Sequence, residues 1–125
     1  VRKICDYCRI STVITKDELK KSLPESIINK HYIPVGDNRE IRVYKGKGCK
    51  NCRTTGYAGR VGIFEILELT KEIRKLISEK KDADVIAHQA IQDGMITMLD
   101  DGLQKVSKGV TSIEEILRVT RVETI

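Results

Sequence analysis

Cys5-Asp6-Tyr7-Cys8 and Cys49-Lys50-Asn51-Cys52 are two C-x-x-C units separated by 40 residues, and their reading decides how the first part of this chain folds. Two intervening residues let one turn present two sulfurs to one cation. Two such turns complete the tetrahedral shell that Zn2+ favours at about 2.3 Å per sulfur. The connection is longer than the roughly 15–20 residues of the commonest ribbon. Its helical pattern predicts an inserted lobe, which leaves the two turns free to meet. Structural zinc on Cys5, Cys8, Cys49 and Cys52 is the expectation, because four cysteines close the shell and leave no position for a catalytic water. Two disulfides would suit a secreted chain, and a redox C-x-x-C normally needs one pair at a helix N-terminus. Both rank below zinc, as does an iron–sulfur cluster.

The residues beside the turns fit that reading. Arg2, Lys3 and Arg9 flank the first pair; Lys45, Lys47, Lys50 and Arg53 flank the second. Four thiolates on a divalent cation carry a formal charge of about −2, and nearby cations favour the thiolate form. Gly46 and Gly48 are expected to let backbone amides approach the sulfurs. A metal unit also answers a compositional need. The chain has 125 residues, 40% of them hydrophobic, with one Phe, four Tyr and no Trp, so Ile, Leu and Val must build the core. The N-terminal third holds few of these and needs another source of stability.

Outside the cysteines the pattern predicts an α+β chain with short strands early and short helices late. Residues 1–10 read as a strand entering a turn. Thr15 with Glu18 forms a capping box for a helix carrying Leu19 and Leu23, which Pro24 ends, and a second helix follows over 25–30. Residues 34–40 gather turn formers, Ile41, Val43 and Tyr44 form a short strand, and 61–69 (VGIFEILEL) reads as a buried strand. Four apolar stripes then predict four packed helices: Ile73, Leu76 and Ile77; Val85, Ile86, Ala90 and Ile91, closing at Gly94; Leu99, Leu103 and Val106, closing at Gly109; and Ile113, Ile116 and Leu117. Thr111 with Glu114, or Ser112 with Glu115, caps the last. The expected organisation is a metal-binding module over 1–53 with an inserted lobe at about 11–41, then a return strand and helical region over 54–125.

Other chemistry is poorly supported. His31 and His88 have no convergent partners and read as solvated or helix-packing residues. Asp100-Asp101 and Glu114-Glu115 read as solvated charge. The glycine-rich stretch 55–63 is no phosphate cradle, since G-x-x-x-x-G-K-[ST] occurs nowhere in the chain; its glycines turn the chain out of the metal site. Within it, Arg60 is a candidate contact to nucleotide or to a neighbouring subunit. The net charge of +5 is diluted by acids, and aromatics are few, which argues against a free-standing zinc ribbon that binds nucleic acid, the main rival reading. A thiol-redox protein is the second rival. There is no apolar run of membrane-spanning length and no signal-peptide pattern, and the start at Val1 reads as a fragment of a longer protein.

GKGCKNCRTTGYAGRVGIFEIL (46–67) followed by DGMITMLDDGLQKVSKGVTSIEEILRVT (93–120), together with the opening VRKICDYC, closely resembles the C-terminal part of the type II secretion and type IV pilus-assembly ATPases. In that family a tetracysteine zinc module follows an LVRK-like segment, and a TGYxGRxGIxE segment returns the chain to the motor domain. The resemblance covers residues 1–10 and roughly 42–121, and leaves 11–41 as a spacer. It implies a hexameric cytoplasmic motor, peripheral to the inner membrane through its partners, that uses ATP and Mg2+ to assemble a pilus or pseudopilus. The implied partners are other subunits of the ring, an inner-membrane platform and cytoplasmic components of the machine, without direct membrane insertion. The family's phosphate loop and metal-binding acid match nothing here, so the fragment itself is not expected to be catalytic. Its zinc ligands carry over to Cys5, Cys8, Cys49 and Cys52 alone.

Overall fold

The computed structural model describes residues 1–31 and 40–120. The expected loop at 34–40 therefore lies outside the described residues, apart from Glu40. Among the described residues run four strands and six helices: β1 (Arg2–Ile4), β2 (Arg9–Thr15), α1 (Lys16–Lys20), α2 (Glu25–His31), β3 (Glu40–Gly46), β4 (Tyr57–Arg60), α3 (Lys71–Ser78), α4 (Ala83–Gln92), α5 (Met98–Ser107) and α6 (Ile113–Val119). The α+β class expected from the sequence is present.

The strands form two antiparallel pairs, β1 with β4 and β2 with β3. The second is the longer, running in unbroken register from Arg9 opposite Gly46 to Thr15 opposite Glu40. Its first strand extends to Thr15, beyond the residue-10 limit read from the sequence. Residues 10–15 (ISTVIT) are dominated by β-branched side chains, which suit a pleated surface, and the strand that receives them begins far along the chain. Thr15 then changes role. Its hydroxyl accepts from Glu18 N at 3.2 Å while Glu18 Oε2 accepts from Thr15 N at 3.0 Å, the expected capping box that starts α1.

The hydrophobic core draws on distant segments. Leu19, Leu23 and Ile28 from the insertion meet Ile41 of β3, Leu99, Leu103 and Val106 of α5, and Ile116 of α6. Burial of each such side chain contributes about 1.5–3 kcal/mol, so the insertion shares its apolar core with the C-terminal helices. Gly102 permits the tight α5–α6 crossing, since a Cβ there would meet Ile116 Cδ1 at 2.7 Å.

Two sequence expectations change. The four C-terminal helices pack in pairs: α3 lies on α4, while α5 lies on α6 and also reaches α2 and β3. Of the α3 and α4 stripes only Ile73 and Ala90 are buried, and Ile77, Val85 and Ile91 face outward. Residues 61–69 form no strand with a neighbour. They lie at the surface, with Phe64 65% and Ile66 77% exposed. The segment is anchored by carboxylates near the start of α5 and within itself: Phe64 N donates to Asp101 Oδ2 at 2.9 Å, and Met98 N donates to Glu65 Oε2 at 2.8 Å. The apolar run was legible, but its burial requires a surface that the described residues do not provide.

Candidate metal centre

The four cysteines come together. Their sulfurs lie within 4.8 Å of one another, with Cys5 and Cys52 buried and Cys8 and Cys49 partly so. The contacts are 3.7 Å for Cys5–Cys49, 3.8 Å for Cys8–Cys52 and 3.6 Å for Cys49–Cys52. A tetrahedron with metal–sulfur bonds of about 2.3 Å has edges of about 3.8 Å, so the donor set fits a single zinc-sized ion. A disulfide needs sulfurs about 2.05 Å apart, which none of these contacts approaches.

Each turn follows from its backbone. The second requires left-handed conformations at Gly48 (φ +99°), Arg53 (φ 54°), Thr54 (φ 64°) and Gly56 (φ +80°). Two successive non-glycine residues in that region are strained, and they sit immediately after Cys52. These conformations aim amides at sulfur: Gly48 N donates to Cys8 Sγ, and Cys49 N and Gly56 N donate to Cys52 Sγ, all at 3.3 Å. The sequence assigned that approach to Gly46 and Gly48. Gly48 does it, but Gly46 instead lies against the backbone of Gly56, where a Cβ would fall 2.0 Å from Gly56 O. The amide-donating role missed at Gly56 depends on a turn geometry that a lone glycine in sequence does not reveal.

The sulfur chemistry is uneven. Burial opposes charge at Cys52, yet the amides of Cys49 and Gly56 and the thiols of Cys49 and Cys8 outweigh it and bring that thiol from 9.0 down to about 6. Burial pushes Cys8 up to about 12 against the Gly48 amide, with the neighbouring sulfurs reinforcing the rise. Four crowded thiols thus stabilise one thiolate and resist the next. A cation in their midst removes that resistance.

A second cluster ties this centre to α6. Cys5 N donates to Gly56 O and Ile4 N to Val110 O, both at 2.9 Å. Thr111 Oγ1 donates to Arg2 O at 2.8 Å, and the Tyr57 hydroxyl lies 2.6 Å from Ser112 Oγ. Arg2 stacks over the Tyr57 ring at 4.3 Å and holds the buried Glu115 carboxylate. Ser112 caps α6 as expected, accepting from Glu115 N. Glu115 does not return to the cap; its oxygens take Arg2 and Arg118 instead.

Glu115 therefore overturns its reading as solvated charge, as do two neighbours in kind. Asp100 accepts from Lys30 at 2.9 Å and lies 2.8 Å from His31 Nε2, and Asp101 binds Lys105 as well as Phe64 N. These partners are far away in sequence or on a crowded helix turn, so the acid pairs alone carried no signal. His31, the last residue of α2, is largely buried against Asp100 of α5, a partner that the sequence reading did not give it, and His88 lies exposed with its Nε2 3.3 Å from Gln92 Nε2.

Fold and site define an α+β protein with a four-thiol cluster able to hold a metal ion. The family described as type II/IV secretion system protein matches residues 1–118, and the chain belongs to that family. It is 36% identical over 121 residues to the type IV pilus assembly ATPase PilB of Thermus thermophilus, covering 96% of this chain and 12% of the relative. It is 32% identical over 121 residues to PilB of Pseudomonas aeruginosa, covering 96% and 19%. It is 33% identical over 121 residues to type II secretion system protein E of Aeromonas hydrophila, covering 97% and 22%. The chain thus spans less than a quarter of the length of these relatives. Among the described residues no helix is long and apolar enough to cross a membrane.

Proposed function

We propose that this chain is the zinc-binding C-terminal part of a motor ATPase of type II secretion or type IV pilus assembly. The observation that carries the reading is the set of four sulfurs at tetrahedral spacing, in a chain matched to the secretion family over residues 1–118. Cys5, Cys8, Cys49 and Cys52 would hold the ion, which supplies a four-way cross-link and no open coordination position.

The chain's own residues give that cross-link a mechanical use. Arg2, Tyr57, Ser112 and Glu115 join the knuckles to α6, so the metal unit and the terminal helix move as one body. In a hexameric cytoplasmic motor such a body offers a stiff surface to a neighbouring subunit or to a platform at the inner membrane. ATP and Mg2+ would bind other segments of the parent, because this chain has no phosphate-loop string.

The test is metal analysis of the purified chain beside an ATPase assay. One zinc per chain, lost in Cys49→Ser, with no hydrolysis above background is expected. A folded chain free of metal, or nucleotide turnover by the chain alone, would refute the proposal.

A further inference from the structure

Among the described residues β2 pairs with β3 alone, so one long edge of this two-stranded ribbon carries backbone groups that no neighbouring strand takes. The ladder decides which groups face that edge. In an antiparallel pair every second residue exchanges hydrogen bonds with its partner, and the residues between point their N–H and C=O away. Lys47 N donates to Cys8 O at 3.0 Å, and the register runs unbroken from Arg9 opposite Gly46 to Thr15 opposite Glu40. Ile10, Thr12 and Ile14 therefore bond to β3, while Arg9, Ser11, Val13 and Thr15 present their amides and carbonyls to the open side. Thr15 agrees with this phase, since its amide donates to Glu18 Oε2.

Proteins protect such edges with lysine, proline, bulges or very short strands. Beyond Arg9, β2 has none of these: residues 10–15 (ISTVIT) hold no charge and no proline, and the seven-residue strand has no bulge. Val13 is 45% exposed on it. The edge is also self-complementary. When a second β2 lies antiparallel about a two-fold axis at Thr12, Ser11 of each copy stands opposite Val13 of the other, so outward donors meet outward acceptors on both sides of the axis. The same register brings Arg9 of each copy to the other's Thr15 and its capping Glu18, which sets opposite charges at both ends and no like charges face to face. A peptide from another protein would use the same backbone groups, but the match at both ends favours a second copy.

We propose that β2 pairs edge to edge with β2 of a second copy of this chain, giving one continuous sheet in the order β3–β2–β2–β3. The contact is small, in the class of transient interfaces, so the dimer forms reversibly as concentration rises. The inference does not rest on the motor reading, because every group it uses belongs to this chain.

Sedimentation velocity of the purified chain over a concentration series, with amide exchange measured at both ends of the series, tests it. A reversible dimer is expected. As it forms, the Ser11 and Val13 amides should slow by on the order of tenfold, while Thr12 is protected throughout by β3. Ser11→Pro removes an outward N–H and no bond to β3, so it should keep the dichroism spectrum of the unaltered chain and weaken the dimer by on the order of tenfold or more. Val85→Ser removes an equally exposed apolar side chain from α4 and should leave dimerisation unchanged. Equal losses in the two variants would reduce the effect to exposed apolar surface and overturn the proposal. A chain that is monomeric at every concentration would overturn it too. So would a dimer that leaves Ser11 and Val13 exchange unchanged, which places the contact elsewhere, or protection of these amides in the monomer, which assigns the edge to another segment of the chain. The exchange measurement uses the unaltered chain, so it decides the matter even if Ser11→Pro fails to fold.

Discussion

Arg2 and Glu115 close a clamp across 113 residues of chain: Arg2 Nη2 lies 2.6 Å and Nε 3.0 Å from Oε1, while Arg2 N donates to Oε2 at 2.9 Å. The Glu115 residue is only 1% exposed. Arg118 and Arg2 hold its carboxyl down, from 4.5 to about 2, against the opposing effect of burial. A carboxyl depressed on folding stabilises the fold above its unfolded pKa, and that stabilisation is lost as pH falls through the folded value. The shift corresponds to about 3 kcal/mol, which solvent around the half-exposed guanidinium groups reduces to about 2 kcal/mol. Denaturant midpoints should therefore decline between pH 4.5 and pH 2. Glu115→Gln should flatten that decline; an unchanged acid limb in this variant would show that the clamp contributes nothing.

Metal removal should separate two parts of the molecule. The knuckles hold left-handed Arg53 and Thr54, and structural zinc supplies about 10–16 kcal/mol in small peptides. The core of Leu19, Ile28, Leu103 and Ile116 has no cysteine in it. Chelation or Cys49→Ser is expected to raise amide exchange by on the order of tenfold or more over residues 1–10 and 46–60. Amides of α5 should keep most of their protection. Uniform loss throughout would mean that the core depends wholly on the ion.

Several local features of the fold and of the candidate site were legible in the sequence, and the reason is locality. The cysteine spacing, the Thr15–Glu18 box and the closing glycines Gly94 (φ +101°) and Gly109 (φ +75°) each declare themselves within a few residues. What was missed depends on long-range pairing. The β2 strand needed its partner in β3, and Glu115 needed Arg2. The outward face of α3 and α4 could not be told from a buried one by periodicity alone, because period locates an apolar stripe without saying what covers it.

Gly46 offers a sharp steric test. Its missing Cβ would stand 2.0 Å from Gly56 O and 2.5 Å from Gly56 Cα, both backbone atoms that cannot turn aside. Gly46→Ala must therefore push β3 away from the amide that serves Cys52. A loss above about 3 kcal/mol is expected, with weakened zinc retention. Gly94→Ala is the control: nothing lies within 4 Å of its Cβ, so only its φ of +101° is strained. That variant should lose about 1–2 kcal/mol and keep its zinc. Similar losses at both positions would refute the close-approach argument, since backbone strain alone would then account for each.

The exposed segment 61–69 makes a prediction that distinguishes the chain from its proposed parent. Ile66 is 77% exposed, whereas Leu103 is fully buried against the core. Leu103→Ala removes packed volume and should cost about 2–5 kcal/mol in the isolated chain. Ile66→Ser removes no such contact and should fall within about 0.5 kcal/mol of the unaltered chain. If the apolar run is covered by other segments of a longer motor, the same Ile66→Ser change in that parent buries a hydroxyl and should cost well over 1 kcal/mol. Thermal melts of both pairs read this directly. An Ile66→Ser effect equally small in the parent would show that the run stays uncovered there as well.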